Sequence, residues 1–332
     1  MTALGKVWVF AEAHDGRVAP VVLEALAKAR ELGGEVEAFF GGGGDEVAAT
    51  LGAHGASCVY ATGDLGGALA GVSVAAAMAA EVGRGNRPDL VLFGTTYDGR
   101  DVAARLSVAL DRPVLTNNVD VTFDADGSGV EGAGSLVTSE PVFGGAVVVR
   151  TRFTAPPPHL VLVRPKSFTA ADVGGDPAEV VAVAVPDTGA AGAARVTGRH
   201  VEEAAGPKLD EAAVVVAGGR GLGEAAKYEM VEKLARLLQG APAATRAIVD
   251  AGWVPYSHQV GQTGKVVKPM LYLAVGISGA TQHMVGMKGA KHIIAVNKDA
   301  DAPILSIADL GVVGDLHKVL PKLIAALEAR PT

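Results

Sequence analysis

The sequence predicts an α/β protein of two domains, each with a mainly parallel sheet flanked by helices, the C-terminal one of the doubly wound type. Three observations predict it. The 332 residues are 49% hydrophobic with only 5% aromatics and 44 glycines, a balance of Ala, Val and Leu cores with Gly-rich turns, on a chain too long for one ordinary core. Short apolar runs alternate with amphipathic stretches along most of the chain. Between Pro186 and Lys208, "PDTGAAGAARVTGRHVEEAAGPK" loses apolar periodicity and reads as a linker.

In the first domain "KVWVFAE" opens a strand, and the next helix carries Val22, Leu23, Leu26 and Ala29 on one face. "EVEAFF" and "SCVYAT" are strands, Gly71 to Val82 is a helix, "DLVLFGT" is a strand, and "RDVAARLSVAL" is a helix that stops before Arg112 and Pro113. From Asp120 to Arg164 the pattern changes: "GAVVVRTRF" and "HLVLVRP" stand close together with no helix between them, as antiparallel strands capping the domain. The lone Cys58 falls in a strand, so neither an intrachain disulfide nor a structural zinc cluster is available, and a reducing compartment follows. The boundaries are 1–190 for the first domain, 191–208 for the linker and 209–332 for the second domain.

The second domain begins with the buried strand "EAAVVVAGGRGLG" running into glycines. The helix after it places Val231, Leu234, Ala235 and Leu238 at i, i+3, i+4 and i+7 and ends at Gly240 before Pro242. Strands are expected near Ala247 to Val249, Met270 to Val275 and His292 to Val296.

A net charge of -7 argues against general nucleic-acid affinity. The first residues enter a strand at once, without a charged-then-apolar signal segment, and no apolar run approaches the ~18 residues of a membrane span, so a cytoplasmic protein with no membrane insertion is expected. Charge is unevenly spread. From Ala251 to Lys298 there is no Asp or Glu, while Lys265, Lys268, Lys288, Lys291 and Lys298 are all positive. That segment reads either as a buried stretch with stray lysines or as a site for an anion.

In an open parallel sheet, ligands sit beyond the carboxyl ends of the strands. Gly218 to Gly223 follow "VVVA", Thr245 and Arg246 follow "GAPAA", Ser278 to His283 follow "LYLAVGI", and Asn297 follows "IIAV". "GISGATQH" offers backbone N–H groups at a helix start, as a phosphate needs; a tight turn with Ser278 as helix cap reads equally well. "GGRGLG" gives only a loose G-x-G-x-x-A through Gly221, Gly223 and Ala226, with no acid about twenty residues on to hold a ribose. "GQTGKVV" fails as a P-loop because Gln259 and Val266 occupy positions that need Gly and Ser/Thr. The remaining donors, Arg220, Arg246, Gln262, Thr263, Gln282 and His283, come without a nucleophile and base, paired carboxylates or a metal-ligand cluster. Such a site binds rather than hydrolyses, and it suits a pyrophosphate-bearing cofactor with a flat heteroaromatic head.

With these residues assembled, "VVVAGGRGLG", "ATRAIVDAGWVP", "QVGQTGKVVKPMLYLAVGISGATQHMVGMKGAKHIIAVNKDADAPI" and "DLGVVGDLHKVLP" closely resemble the alpha subunit of electron-transfer flavoproteins. The likeness spans almost the whole second domain; the first matches more loosely, through "PDLVLFGTTYDGRDVAARLS" and "VRPKSF". The resemblance implies a noncovalent FAD in a heterodimer with a smaller beta subunit that binds AMP. It further implies a redox carrier rather than an enzyme, passing electrons from flavin dehydrogenases, such as the acyl-CoA dehydrogenases of fatty acid oxidation, to a membrane quinone reductase.

Carried over by position, Arg220 and Arg246 lie on the flavin side, and Thr245, Arg246, Val260, Gly261, Gln262 and Thr263 wrap the isoalloxazine and ribityl. Ser278, Gly279, Ala280, Thr281, Gln282 and His283 embrace pyrophosphate and flavin, and Asn297, Asp315 and Leu316 match the adenosine side. A reduced flavin gathers negative charge over N1 and the C2 oxygen, so a histidine donor and a guanidinium are expected there, with Thr263 near N5 or O4. Arg246 is read as a charge without a local ion-pair partner. Gly279 is read as backbone that a phosphate approaches. Glu140, in "SEPVFGGA", stands where the family pattern leads one to expect a basic residue. Two alternatives stay open: a nucleotide- or NAD-dependent enzyme on a related domain, and a bifurcating flavoprotein whose partner carries a second FAD.

Overall fold

The computed structural model describes residues 4–14, 16–124, 134–143, 147–198, 207–209 and 211–329. Contacts divide the chain into two compact units, Met1–His200 and Val201–Thr332. Positions 199–206 of the expected linker, and the first two residues of "GAVVVRTRF", lie outside the described residues.

The N-terminal unit is built from β1 (Lys6–Ala11), the hairpin β2 (Ala13–His14) and β3 (Arg17–Val18), α1 (Pro20–Leu32), β4 (Glu35–Phe40), α2 (Asp45–Ala53), β5 (Cys58–Ala61), α3 (Ala70–Gly83), β6 (Leu90–Gly94) and α4 (Tyr97–Leu110). It continues through β7 (Val114–Asn118), β8 (Asp120–Asp124), β9 (Ser135–Val142), β10 (Val147–Arg152), β11 (His159–Val163) and β12 (Glu179–Ala182). The main sheet runs β12-β5-β4-β1-β6-β11-β7, and its neighbouring strands pair in parallel. Alternation along β1 separates its two faces. Val7 and Val9 pack against Leu26 and Leu51 from α1 and α2, whereas Trp8 and Phe10 pack with Met78 and Leu106 from α3 and α4. Pro20 opens α1 with a preset φ, and Thr96 caps α4 by accepting from the Gly99 N–H at 2.9 Å.

The expected antiparallel pairing of "GAVVVRTRF" with "HLVLVRP" is corrected. β10 pairs antiparallel with β9 in a separate three-stranded sheet, while β11 enters the main sheet in parallel between β6 and β7. The physical reason lies in burial: Leu160 to Val163 are buried in succession, as in a strand covered on both faces, whereas Val147, Val148 and Val149 on the edge strand β10 are exposed.

The C-terminal unit holds β13 (Val214–Gly218), α5 (Glu229–Leu237), β14 (Ala241–Ala244), α6 (Arg246–Val249), β15 (Leu271–Val275), α7 (Thr281–Met287), β16 (His292–Asn297), β17 (Leu310–Val313) and α8 (Leu316–Glu328). Its parallel sheet runs β14-β13-β15-β16-β17, the doubly wound order with a switch point between β13 and β15. Leu234, Leu320 and Ile248 from α5, α8 and α6 cover one face with Val216; Met287 of α7, Val260 and Ile304 cover the other with Val215 and Ala217. The strand expected near Ala247 to Val249 is instead the single-turn helix α6, because Ala241–Ala244 already forms the strand and Asp250 N–H bonds back to Arg246 O at 2.8 Å. Among the described residues no helix is long and apolar enough to cross a membrane.

Candidate functional site

Register brings the site together. Ala244, Gly218, Val275 and Val296 stand side by side in one row across β14, β13, β15 and β16, so the four loops that follow begin level with one another. Thr245 N–H to Gly218 O at 3.0 Å, Gly219 N–H to Val275 O at 3.0 Å and Gly276 N–H to Val296 O at 2.9 Å carry the ladder one step past the strands. The loops after β13 and β15 then meet back to back. Gly221 N–H donates to Gly276 O at 2.9 Å, and a Cβ on Gly221 would lie 2.6 Å from Gly276 Cα, so neither position tolerates a side chain. "GGRGLG" thus spends a glycine on loop-to-loop packing, and Arg220–Leu222 forms a 3-10 turn rather than the first turn of a long helix.

A further segment closes the wall. Val260 N–H donates to Ala244 O at 3.0 Å beside β14, and Gln262 N–H donates to Gln282 O at 2.7 Å. A Cβ on Gly286 of α7 would collide with the Gly261 backbone, which is how the helix approaches the loop so closely. Inside the loop, Gln259, buried at 2% exposure, donates its amide to Thr263 Oγ1 at 3.0 Å. That bond occupies an acceptor site of the Thr263 hydroxyl and leaves its proton available to a ligand.

Together these loops surround a cavity of about 710 Å³ at the switch point, within the range of small-molecule and cofactor sites. Of the residues singled out from the sequence, Arg220, Thr245, Arg246, Val260, Gly261, Gln262, Thr263, Ser278, Ala280, Gln282, His283 and Asn297 line it. Gly279, Thr281, Asp315 and Leu316 do not. Gly279 is buried with φ +88, and a Cβ there would strike the Ile304 backbone, so the protein's own packing already requires glycine at this position. The cap of α7 is Ala280, and Thr281 is the helix's exposed first residue. Asp315 caps α8 by accepting from His317 N–H at 2.9 Å, while Leu316 sits in the core beneath Gly276.

The charges differ from expectation. Arg246 Nε meets Asp250 Oδ2 at 3.0 Å, so this guanidinium does have a local partner. Arg220 has none among the described residues, and neither does Lys298; of the five lysines in the acid-free segment, only Lys298 lines the cavity. That segment is bounded in sequence by Asp250 and Asp299, and both of these exposed acids line the cavity. Asn297 ties two loops, donating to Ile277 O at 2.8 Å and accepting from Asp299 N–H at 3.0 Å. Asp250, Asp299 and Pro303 line the cavity without any sequence expectation, while Gln259 entered only as a P-loop mismatch and Lys298 only as one of the segment's five lysines. Only Lys298 and Asp299 carried a signal of place, since they follow β16 directly.

His283 is 6% exposed, and both ring nitrogens have protein partners: Nδ1 lies 3.0 Å from Val260 O and Nε2 lies 3.0 Å from Tyr272 Oη. A carbonyl only accepts, so Nδ1 carries the proton, and Nε2 accepts from the tyrosine. Burial pushes the imidazole down to about 4, against the Val260 carbonyl, which raises it. The ring is therefore neutral near pH 7 with its polar atoms turned inward, and the N–H donor to a ligand expected from the sequence is already committed. Thr245 shows the opposite situation. Its Oγ1 is buried at the cavity wall with no hydrogen-bond partner and does not cap α6, although it occupies the cap position. An orphaned hydroxyl of this kind costs about 1 to 3 kcal/mol unless something else pairs with it.

A family match decides what the chain is. The description "Electron transfer flavoprotein domain" matches residues 7–188, more than half of the chain, and "Electron transfer flavoprotein FAD-binding domain" matches residues 208–288. The chain belongs to the electron transfer flavoprotein alpha-subunit family. Electron transfer flavoprotein subunit alpha of Mycobacterium tuberculosis is 40% identical, over 98% of this chain and 99% of its own. The Syntrophomonas wolfei protein of the same name is 38% identical over 97% and 98%, and that of Clostridium acetobutylicum is 36% identical over 97% of each. The FAD-binding match of this electron transfer flavoprotein chain ends at residue 288, whereas the cavity continues through Asn297 to Asp299 and Pro303, which β16 and its following loop contribute.

Proposed function

We propose that the cavity holds a noncovalent FAD and that the chain is the FAD-carrying half of a heterodimeric redox carrier. It takes electrons from flavin dehydrogenases, such as the acyl-CoA dehydrogenases of fatty acid oxidation, and gives them to a membrane quinone reductase. In this reading the protein is cytoplasmic, the other half is an AMP-binding beta subunit, and the chain performs no substrate transformation of its own. The subunit name of its relatives supports a partner.

The observation that carries the reading is the row of level strand ends opening on one cavity that contains groups with nothing of their own to pair with. Thr245 Oγ1 is buried without a partner, and the Arg220 guanidinium has none among the described residues. An elongated anionic molecule with hydroxyls and a flat head supplies what both lack. Residues Thr245, Val260 to Thr263, Ser278, Ala280, Gln282 and Asn297 would hold it by backbone and polar side-chain contacts, with Arg220 on the flavin side and Lys298 balancing its phosphates. When bound, the flavin supplies reversible uptake of electrons. The chain's part is to hold the ring, to exclude water from it, and to offer the Thr263 hydroxyl proton and the arginines to charge that grows on it.

Purification of the full chain together with its beta subunit tests this. A yellow heterodimer with one FAD per alpha chain, reduced by an acyl-CoA dehydrogenase and its substrate, is the expected result. A colourless protein that takes up no added FAD overturns it.

A further inference from the structure

We infer that Tyr272 is a positioning residue for the cavity: its hydroxyl holds His283 Nε2, which commits Nδ1–H to the Val260 carbonyl and so anchors the Val260–Thr263 wall to the central strand β15. The inference rests on the FAD reading only for what the wall would touch.

The three groups come from different elements. Tyr272 is a fully buried residue of β15, in register between Val215 of β13 and Ile293 of β16, and its Oη lies 3.0 Å from His283 Nε2. His283 is in the first turn of α7, and its Nδ1 lies 3.0 Å from Val260 O. Val260 is itself bonded to the end of β14 through Ala244. The proton order has one solution. Val260 O accepts, so Nδ1 donates; Nε2 is then a bare lone pair, so the tyrosine hydroxyl donates. The relay runs from a rigid strand through the imidazole into the loop whose next residues, Gly261 to Thr263, line the cavity.

Without the hydroxyl, Nε2 would be an acceptor buried beside a phenyl ring, which the ring escapes by rotating or by taking up a proton. Rotation releases Val260 O, whereas protonation at Nε2 keeps Nδ1–H on it and shows instead as a raised titration. Burial lowers the His283 titration and the Val260 carbonyl raises it, no charged side chain among the described residues contributes, and Tyr272 Oη is the other polar atom within hydrogen-bond distance of the ring.

The test begins with the unmodified full chain, free of FAD and labelled in its histidines. Long-range proton–nitrogen correlation is expected to show His283, assigned by its loss in His283→Asn, with Nδ1 protonated and Nε2 bare at pH 6 to 8. An Nε2–H tautomer, or an imidazolium at pH 6, overturns the inference without any change at Tyr272. In Tyr272→Phe, which removes one atom and keeps the ring, the His283 titration is expected to move up by about one pH unit. Amide exchange at Gly261 to Thr263 is expected to quicken by roughly tenfold relative to β13. An unmoved titration with unchanged exchange shows that the tyrosine merely fills the core, and overturns the inference. FAD affinity is read separately: the expected tautomer in a chain that takes up no FAD sinks the FAD reading and leaves this one standing.

Discussion

The Arg246 guanidinium and the Asp250 carboxylate meet at 3.0 Å across one helical turn at the cavity rim, with side chains 66% and 60% exposed. An exposed pair of this kind contributes about 0.2 to 1 kcal/mol. Asp250→Asn is therefore expected to leave urea stability within about 0.5 kcal/mol and to leave FAD affinity unchanged or modestly tighter, since a carboxylate near an anion is removed.

Arg220 has no such partner. Arg220→Ala is expected to weaken FAD binding by about 1.5 to 3 kcal/mol, the scale of a charge-assisted contact, with Arg246→Ala the milder change. Fluorescence titration of both variants with FAD gives the order directly, and a larger loss in Arg246→Ala would reverse the assignment.

Thr245→Val exchanges the orphaned hydroxyl for a methyl of nearly the same shape. The FAD-free protein is expected to be as stable as the parent or slightly more so, while FAD affinity falls by about 1 kcal/mol. Stability that drops with affinity unchanged would mean that the hydroxyl serves the fold.

Gly279→Ala is expected to destabilise the protein by about 2 to 4 kcal/mol whether or not FAD is present, because φ +88 and the Ile304 backbone both oppose a Cβ. Gly223, at φ +85 and ψ -41 with open space around it, isolates the backbone term: alanine there meets no clash and is expected to lose about 1 to 3 kcal/mol. Denaturation with and without FAD separates packing from ligand contact, since a loss appearing only in the loaded protein would return Gly279 to the binding surface.

Glu12 supplies a pH dependence in the N-terminal unit. The carboxyl is 7% exposed, and burial pushes it up from 4.5 to about 7, against the hydrogen bond from Thr96. A folded-state value above the unfolded one means that the stabilisation is complete below about pH 4.5 and is lost as pH rises through about 7. Glu12→Gln keeps an oxygen for Thr96 and removes the ionisation, so its advantage over the parent is expected to be absent at pH 4 and about 1 to 3 kcal/mol at pH 8. An advantage of equal size at both values would trace the effect to packing.

What the sequence determined by itself is local. The apolar runs at Lys6–Ala11, Glu35–Phe40, Leu90–Gly94 and Leu271–Val275 become strands, Val231, Leu234 and Ala235 become the buried face of α5, and glycines mark the strand ends where the cavity forms. These features depend on a few consecutive residues, whose pattern of burial is written in their order. Tertiary structure decided the rest. That "HLVLV" slots between β6 and β7 depends on the registers Leu160 to Val91 and Leu160 to Val114, with partners about fifty to seventy positions away. That Arg246 faces Asp250 follows from α6 being helical where periodicity allowed a strand, since only a helix brings i and i+4 together. That Gly279 answers to Ile304, and that the His283 nitrogens are spent on Tyr272 and Val260, depends on contacts between separate elements, because a side chain's polar atoms take whichever partners folding places within about 3 Å.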